Sequence, residues 1–285
     1  MRREHTLISA LFEYRFFQNA LLAGFLASIV CGIIGVVIVE KKLVMMSGGI
    51  AHTAYGGIGL GYLLGFEPII GAFLFSVCAA LGIGYIKRKG GTRSDVVIGL
   101  FWSLGMALGI VFIAFMPGYP PDMNSYLFGN ILSVTHLDLY LMIFLTAFVL
   151  FVFISFYNTW KTFLFDEEFA FILGLKTAFM DYLLLVLVAM TVVVLIRVVG
   201  IILVLALLTA PAAVAGLLTR DFKKRILYSM VLGNLFCFTG LFASYEMNIA
   251  SGAVIVIFSV LFYLLTYSVV SVLAKVKSAK NTGPV

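Results

Sequence analysis

The residue best placed to do chemistry is a histidine at the centre of an apolar stretch. His52 stands in Met46-Ser47-Gly48-Gly49-Ile50-Ala51-His52-Thr53-Ala54-Tyr55-Gly56-Gly57, well inside the run from about 45 to 65. An ionisable side chain at membrane depth is costly, so its presence there points first to a functional site. Neutral imidazole is a versatile ligand for divalent transition metals. At helical spacing Gly48, His52, Tyr55, Gly56 and Gly59 share one stripe, and Gly49 is adjacent. Small residues around one ring leave room for an ion or for close helix contact, with oxygens of Ser47, Thr53 or Tyr55 as further donors. One imidazole cannot hold a metal strongly, whereas two copies facing across a homodimer axis could. A neutral histidine bonded to a neighbouring carbonyl is the plainer alternative. The other two histidines, His5 and His136, fall near the ends of apolar runs and read as solvated or interfacial.

A second segment carries charge in a pattern. Asp166-Glu167-Glu168-Phe169-Ala170-Phe171-Ile172-Leu173-Gly174-Leu175-Lys176 is acidic at its start, basic at its end and apolar between, which predicts a short helix over about 166–176. Ala170 and Gly174, one turn apart, give it a small-residue face suited to a groove on a partner; a helix lying on lipid is the alternative. No H-E-x-x-H, G-x-S-x-G or G-x-x-x-x-G-K-[ST] occurs. The chain therefore reads as no enzyme, and any ATP hydrolysis that drives it must reside in a separate subunit.

The elements that must position these residues are membrane helices. Of 285 residues 63% are hydrophobic and only 11% charged, and the mean hydropathy is +1.15. A soluble domain has about twice that share of charge. A span takes about 20 apolar residues, and the expectation is an all-α bundle of nine spans (eight possible). They fall near 17–39, 45–65, 68–86, 96–116, 137–157, 181–198, 201–218, 226–245 and 252–274. Residues 1–15 read as an interfacial segment, 16–275 as the permeating bundle and 276–285 as a tail. Cys31, Cys78 and Cys237 are dispersed in separate apolar runs and suggest neither disulfides nor a zinc cluster.

Orientation follows from Lys and Arg. Lys41, Lys42, Lys87, Arg88, Lys89, Arg93, Lys161, Lys176, Arg220, Lys223, Lys224, Arg225, Lys275, Lys277 and Lys280 fall in one set of loops, fifteen residues against four (Arg2, Arg3, Arg15, Arg197) in the other. The positive-inside rule puts the first set and the C-terminus in the cytoplasm. The net charge of +6 then needs no nucleic-acid partner.

With these segments in hand, the chain resembles the permease subunits of bacterial ABC importers for zinc, manganese and iron, the ZnuB-like family. The likeness runs from Phe17-Gln18-Asn19-Ala20-Leu21-Leu22-Ala23-Gly24 through the Gly48–Gly57 run and Leu127-Phe128-Gly129-Asn130-Ile131-Leu132. It continues through the Asp166–Gly174 loop, Val199-Gly200-Ile201-Ile202-Leu203-Val204, Leu207-Leu208-Thr209-Ala210-Pro211-Ala212-Ala213 and Ser251-Gly252-Ala253. It implies a homodimer in a bacterial or archaeal cell membrane, with two cytoplasmic ABC ATPases coupled through Glu167, Glu168, Ala170, Gly174 and Lys176. An extracytoplasmic metal-binding protein would deliver the ion. It also implies that His52 lies on the metal path, and that the position of Gly48 commonly carries an aspartate. Loss of that carboxylate removes a hard ligand, so the metal's identity does not carry over. Rival readings are a chelate or vitamin importer, an ATP-independent metal carrier and an intramembrane enzyme; the last lacks ionisable partners for His52 within the spans.

Overall fold

The structure, a computed structural model, describes residues 15–89, 94–119, 124–129, 131–247 and 249–281. Among them there is no strand, and eleven α-helices follow one another. They are α1 (Arg15–Glu40), α2 (Val44–Leu64), α3 (Pro68–Lys89), α4 (Ser94–Ala114), α5 (Asn124–Phe128), α6 (His136–Ser155), α7 (Tyr157–Phe165), α8 (Glu167–Ile172), α9 (Thr177–Leu218), α10 (Phe222–Met247) and α11 (Ser251–Asn281). The interfacial segment expected at 1–15 lies outside the described residues except for Arg15, and the expected tail is described only as helix up to Asn281.

Seven of these helices are long and apolar enough to cross a membrane. The expectation of nine differs at two places, each with a physical reason. Helix α2, 21 residues long, holds the glycines and His52 that dilute its hydropathy. Helix α9 runs for 42 residues and is broken at Gly200, where φ is 77° and ψ 161°. Unbroken it would be about 63 Å long, twice the hydrocarbon thickness of about 30 Å. Those dihedrals belong to a region essentially restricted to glycine, so Gly200 divides α9 into two arms.

Ion pairs mark the two ends of the bundle. Lys41–Glu167 at 2.7 Å, Arg88–Asp181 at 2.6 Å and Arg225–Glu40 gather at one. At the other, Arg197 reaches Glu67 at 2.8 Å and Asp138 at 2.7 Å. Thr135 and Asp138 close a reciprocal cap at the start of α6, which satisfies two orphan helix donors and fixes Asp138 for Arg197. The two arms of α9 form the centre, buried along most of their length, and α1 packs beside them. Helices α4 and α11 are the most exposed, with apolar side chains such as Leu100, Leu104, Ile110, Leu261 and Leu265 facing outward. In water such a surface would be an aggregation hazard; in lipid it is the expected exterior.

Candidate functional site

Helix α2 is held from both sides through glycine. A Cβ on Gly57 would collide with the backbone of Gly71 in α3, and one on Gly56 or Gly59 would stand 2.7 Å from the carbonyl oxygens of Gly105 or Gly109 in α4. With no side chains between them the backbones approach closely, as small residues permit in lipid. Toward the Lys41 end of the same seam, side chains replace backbone as the filling.

There the half-buried His52 ring stacks on the indole of Trp102, centroids 4.0 Å apart and planes 13° from parallel. Its Nδ1 lies 3.4 Å from the Sδ of Met106. Trp102 also covers Gly48, where an added Cβ would stand 3.0 Å from the ring. The space that a longer residue at position 48 would need is thus filled from α4. No group of three or more His, Cys, Asp or Glu side chains is placed to hold a metal among the described residues. The donors around His52 are neutral.

The Ser47 and Thr53 hydroxyls are engaged elsewhere. Ser47 Oγ donates to the Val44 carbonyl at 2.8 Å. Thr53 Oγ1 lies 2.7 Å from the Gly49 carbonyl and 3.1 Å from that of Phe101. Tyr55 packs its ring over Gly109, where a Cβ would stand 2.5 Å from Cδ1. Gly49 sits against Ile98, and Pro211 is buried in the second arm of α9. Sequence reasoning missed Trp102 and Met106. Their spacing of four, in register with Gly105 and Gly109, was the available signal, since it puts all four on one face of α4.

The charged loop is a shorter helix than expected. Asp166 caps it, Oδ1 accepting the Phe169 N–H at 3.0 Å, and it ends at Ile172. Gly174 then turns the chain at φ 79°, and Lys176 directly precedes α9 without a side-chain cap. Ala170, expected on a small-residue docking face, is fully buried. Apolar residues point out instead, Phe171 being 70% and Ile172 78% exposed. Glu167 is tied to Lys41, Glu168 is exposed, and open space surrounds Gly174.

Three segments that the sequence reading named separately come together in a further cluster. Gly129, at φ 69°, seats against the Val199–Gly200 peptide, and Gly252 meets the Phe128 carbonyl, where a Cβ would stand at 2.5 Å. Arg197 and its two carboxylates lie beside this crossing, as does the Tyr62–Tyr126 hydroxyl contact at 3.0 Å.

Residues 13–270 match the ABC 3 transport family. An uncharacterized membrane protein of Synechocystis sp. is 42% identical over 93% of this chain and 96% of its own length. The manganese transport system membrane protein MntC of Listeria monocytogenes is 34% identical over 91% of this chain and 92% of its own. Among solved structures, PsaBC from Streptococcus pneumoniae in complex with Fab contains a chain 34% identical, with a TM-score of 0.82 over 91% of this chain and 94% of that one. The chain is a member of the ABC 3 transport family, a multi-pass membrane protein with that family's permease fold.

Proposed function

We propose that the chain is the membrane permease of an ATP-driven importer carrying a divalent transition metal ion into the cytoplasm. The observation that carries this reading is the family match over nearly the whole chain, joined to relatives named as manganese transport membrane proteins. Nine spans follow if α2 and both arms of α9 each cross the bilayer, and the Lys41–Glu167 end is then cytoplasmic together with the C-terminus. Two copies form the path, with His52 of each lining it. Two ABC ATPases dock at α8, and a metal-binding protein delivers the ion at the Arg197 end.

Alternating access suits this arrangement. The ion is passed between weak ligands, since conduction requires that it can leave. A path lined by half-buried neutral donors meets that need better than a closed cage of carboxylates. Exposed Phe171 and Ile172 offer α8 an apolar docking surface at the end where an ATPase must bind.

The test is metal uptake by proteoliposomes holding the permease with its ATPase. His52→Ala is expected to abolish ATP-dependent uptake at normal protein level and with the complex intact. Wild-type uptake by that variant would remove His52 from the path.

A further inference from the structure

The pairing of His52 with Met106 bears on which ion is preferred, and its use rests on the reading of His52 as a path ligand. An imidazole nitrogen binds Zn²⁺ at about 2.1 Å and a thiolate sulfur at about 2.3 Å, a neutral thioether somewhat farther, so a tetrahedral angle between them sets the donors about 3.6 Å apart or slightly more. His52 Nδ1 and Met106 Sδ stand 3.4 Å apart on adjacent helices. An ion can settle between them with an adjustment of a few tenths of an ångström, and a methionine side chain has the rotatable bonds to supply it.

The surroundings favour the same use. The stacked Trp102 ring limits rotation of the imidazole, and Gly48 contributes no side chain. Ser47 and Thr53 hydroxyls are bonded to backbone carbonyls. The pair in contact is one borderline nitrogen and one soft sulfur. A thioether adds little for a hard, oxygen-seeking ion such as Mn²⁺ and more for a borderline ion such as Zn²⁺. A neutral pair also leaves the ion's charge uncompensated, which keeps binding weak enough for passage.

We infer that His52 Nδ1 and Met106 Sδ form a neutral nitrogen–sulfur chelate for the transported ion, and that Met106 biases the path toward Zn²⁺ over Mn²⁺. Water or the second copy completes the coordination shell. Leucine at 106 conserves volume while deleting the donor, so packing is retained.

The test compares wild type, Met106→Leu and His52→Ala in the reconstituted complex with its ATPase, measuring Zn²⁺ and Mn²⁺ uptake. X-ray absorption at the zinc edge on the zinc-loaded complexes is read alongside. A wild-type sulfur shell that is lost in Met106→Leu is expected, with the zinc-to-manganese uptake ratio falling at least about tenfold, since even outer partners of a metal site are worth that much. Spectra identical in wild type and Met106→Leu, or an unchanged ratio, overturn the chelate. Should His52→Ala be inactive while Met106→Leu keeps the wild-type ratio, only the sulfur ligand is removed. Should His52→Ala transport both ions normally, the path reading itself fails.

Discussion

Two glycine-lined contacts in this bundle are filled in opposite ways. At the Gly129–Gly200–Gly252 crossing, backbone lies on backbone and no atom can turn aside. Around His52, an indole, an imidazole and a thioether fill the gap, and the thioether in particular can change rotamer. Both depend on glycine, yet the first uses it to reach a conformation and the second to leave a space. Rigidity thus sits where α9 breaks between its two arms, and adaptability sits around the histidine proposed to line the metal path. The same division appears in the charges: Arg197 is clamped by two carboxylates beside the rigid crossing, whereas the described residues near His52 bring no acidic partner to it.

The sharpest way to break this contrast is Gly200→Ala. The new Cβ would strike the Gly129 backbone, and the residue would be forced into dihedrals that cost an L-amino acid about 1–3 kcal/mol before any clash is counted. The expected outcome is loss of folded protein in detergent, seen as a collapsed monodisperse peak on size exclusion. A well-folded Gly200→Ala protein would show that the crossing has slack, and the contrast would vanish.

Arg197→Met comes next. Removing one partner of a buried ion pair costs about 3–5 kcal/mol. Asp138 is 6% exposed and would be left unpaired, while Arg197 retains some solvent contact at 30%. We expect about 2–3 kcal/mol, below that range because of the remaining solvent. Thermal unfolding in detergent reads it, and Arg197→Lys should recover part, as a point charge replaces the fork. No loss in either variant would mean that the glycine crossing alone fixes this end.

Much of this was legible in the sequence, for reasons that differ from element to element. The separation of 181–198 from 201–218 came from length alone, and the helical break falls at Gly200, between them. What produces the break was hidden, because the seat for Gly200 is supplied by Gly129, seventy-one residues earlier in the chain. His52 stood out because an imidazole in an apolar run is expensive wherever its neighbours lie. Its actual neighbours, Trp102 and Met106, looked like ordinary apolar residues of α4. Only the register between α2 and α4 makes them special, and a single helix does not encode that register. The same limit explains Ala170: the pattern gave a small-residue face but not which side the bundle would take.

The finest test acts at the adaptable site itself. Gly48→Asp places a Cβ 3.0 Å from the Trp102 ring, a contact relieved if the ring gives way by a few tenths of an ångström. Unlike Gly200, Gly48 lies within regular helix and meets a side chain rather than backbone, so the variant should fold. A cycle combining Gly48→Asp with Trp102→Ala then measures whether the two side chains compete for one space. Neighbours in contact typically couple by 0.5–3 kcal/mol, and we expect about 1 kcal/mol, with the double variant less destabilised than the two single losses added together. The carboxylate would also give the path a hard ligand, so Mn²⁺ uptake should rise relative to Zn²⁺. Strict additivity would place Trp102 outside the space above Gly48. A Gly48→Asp protein that fails to fold would make this seam as unforgiving as the glycine crossing.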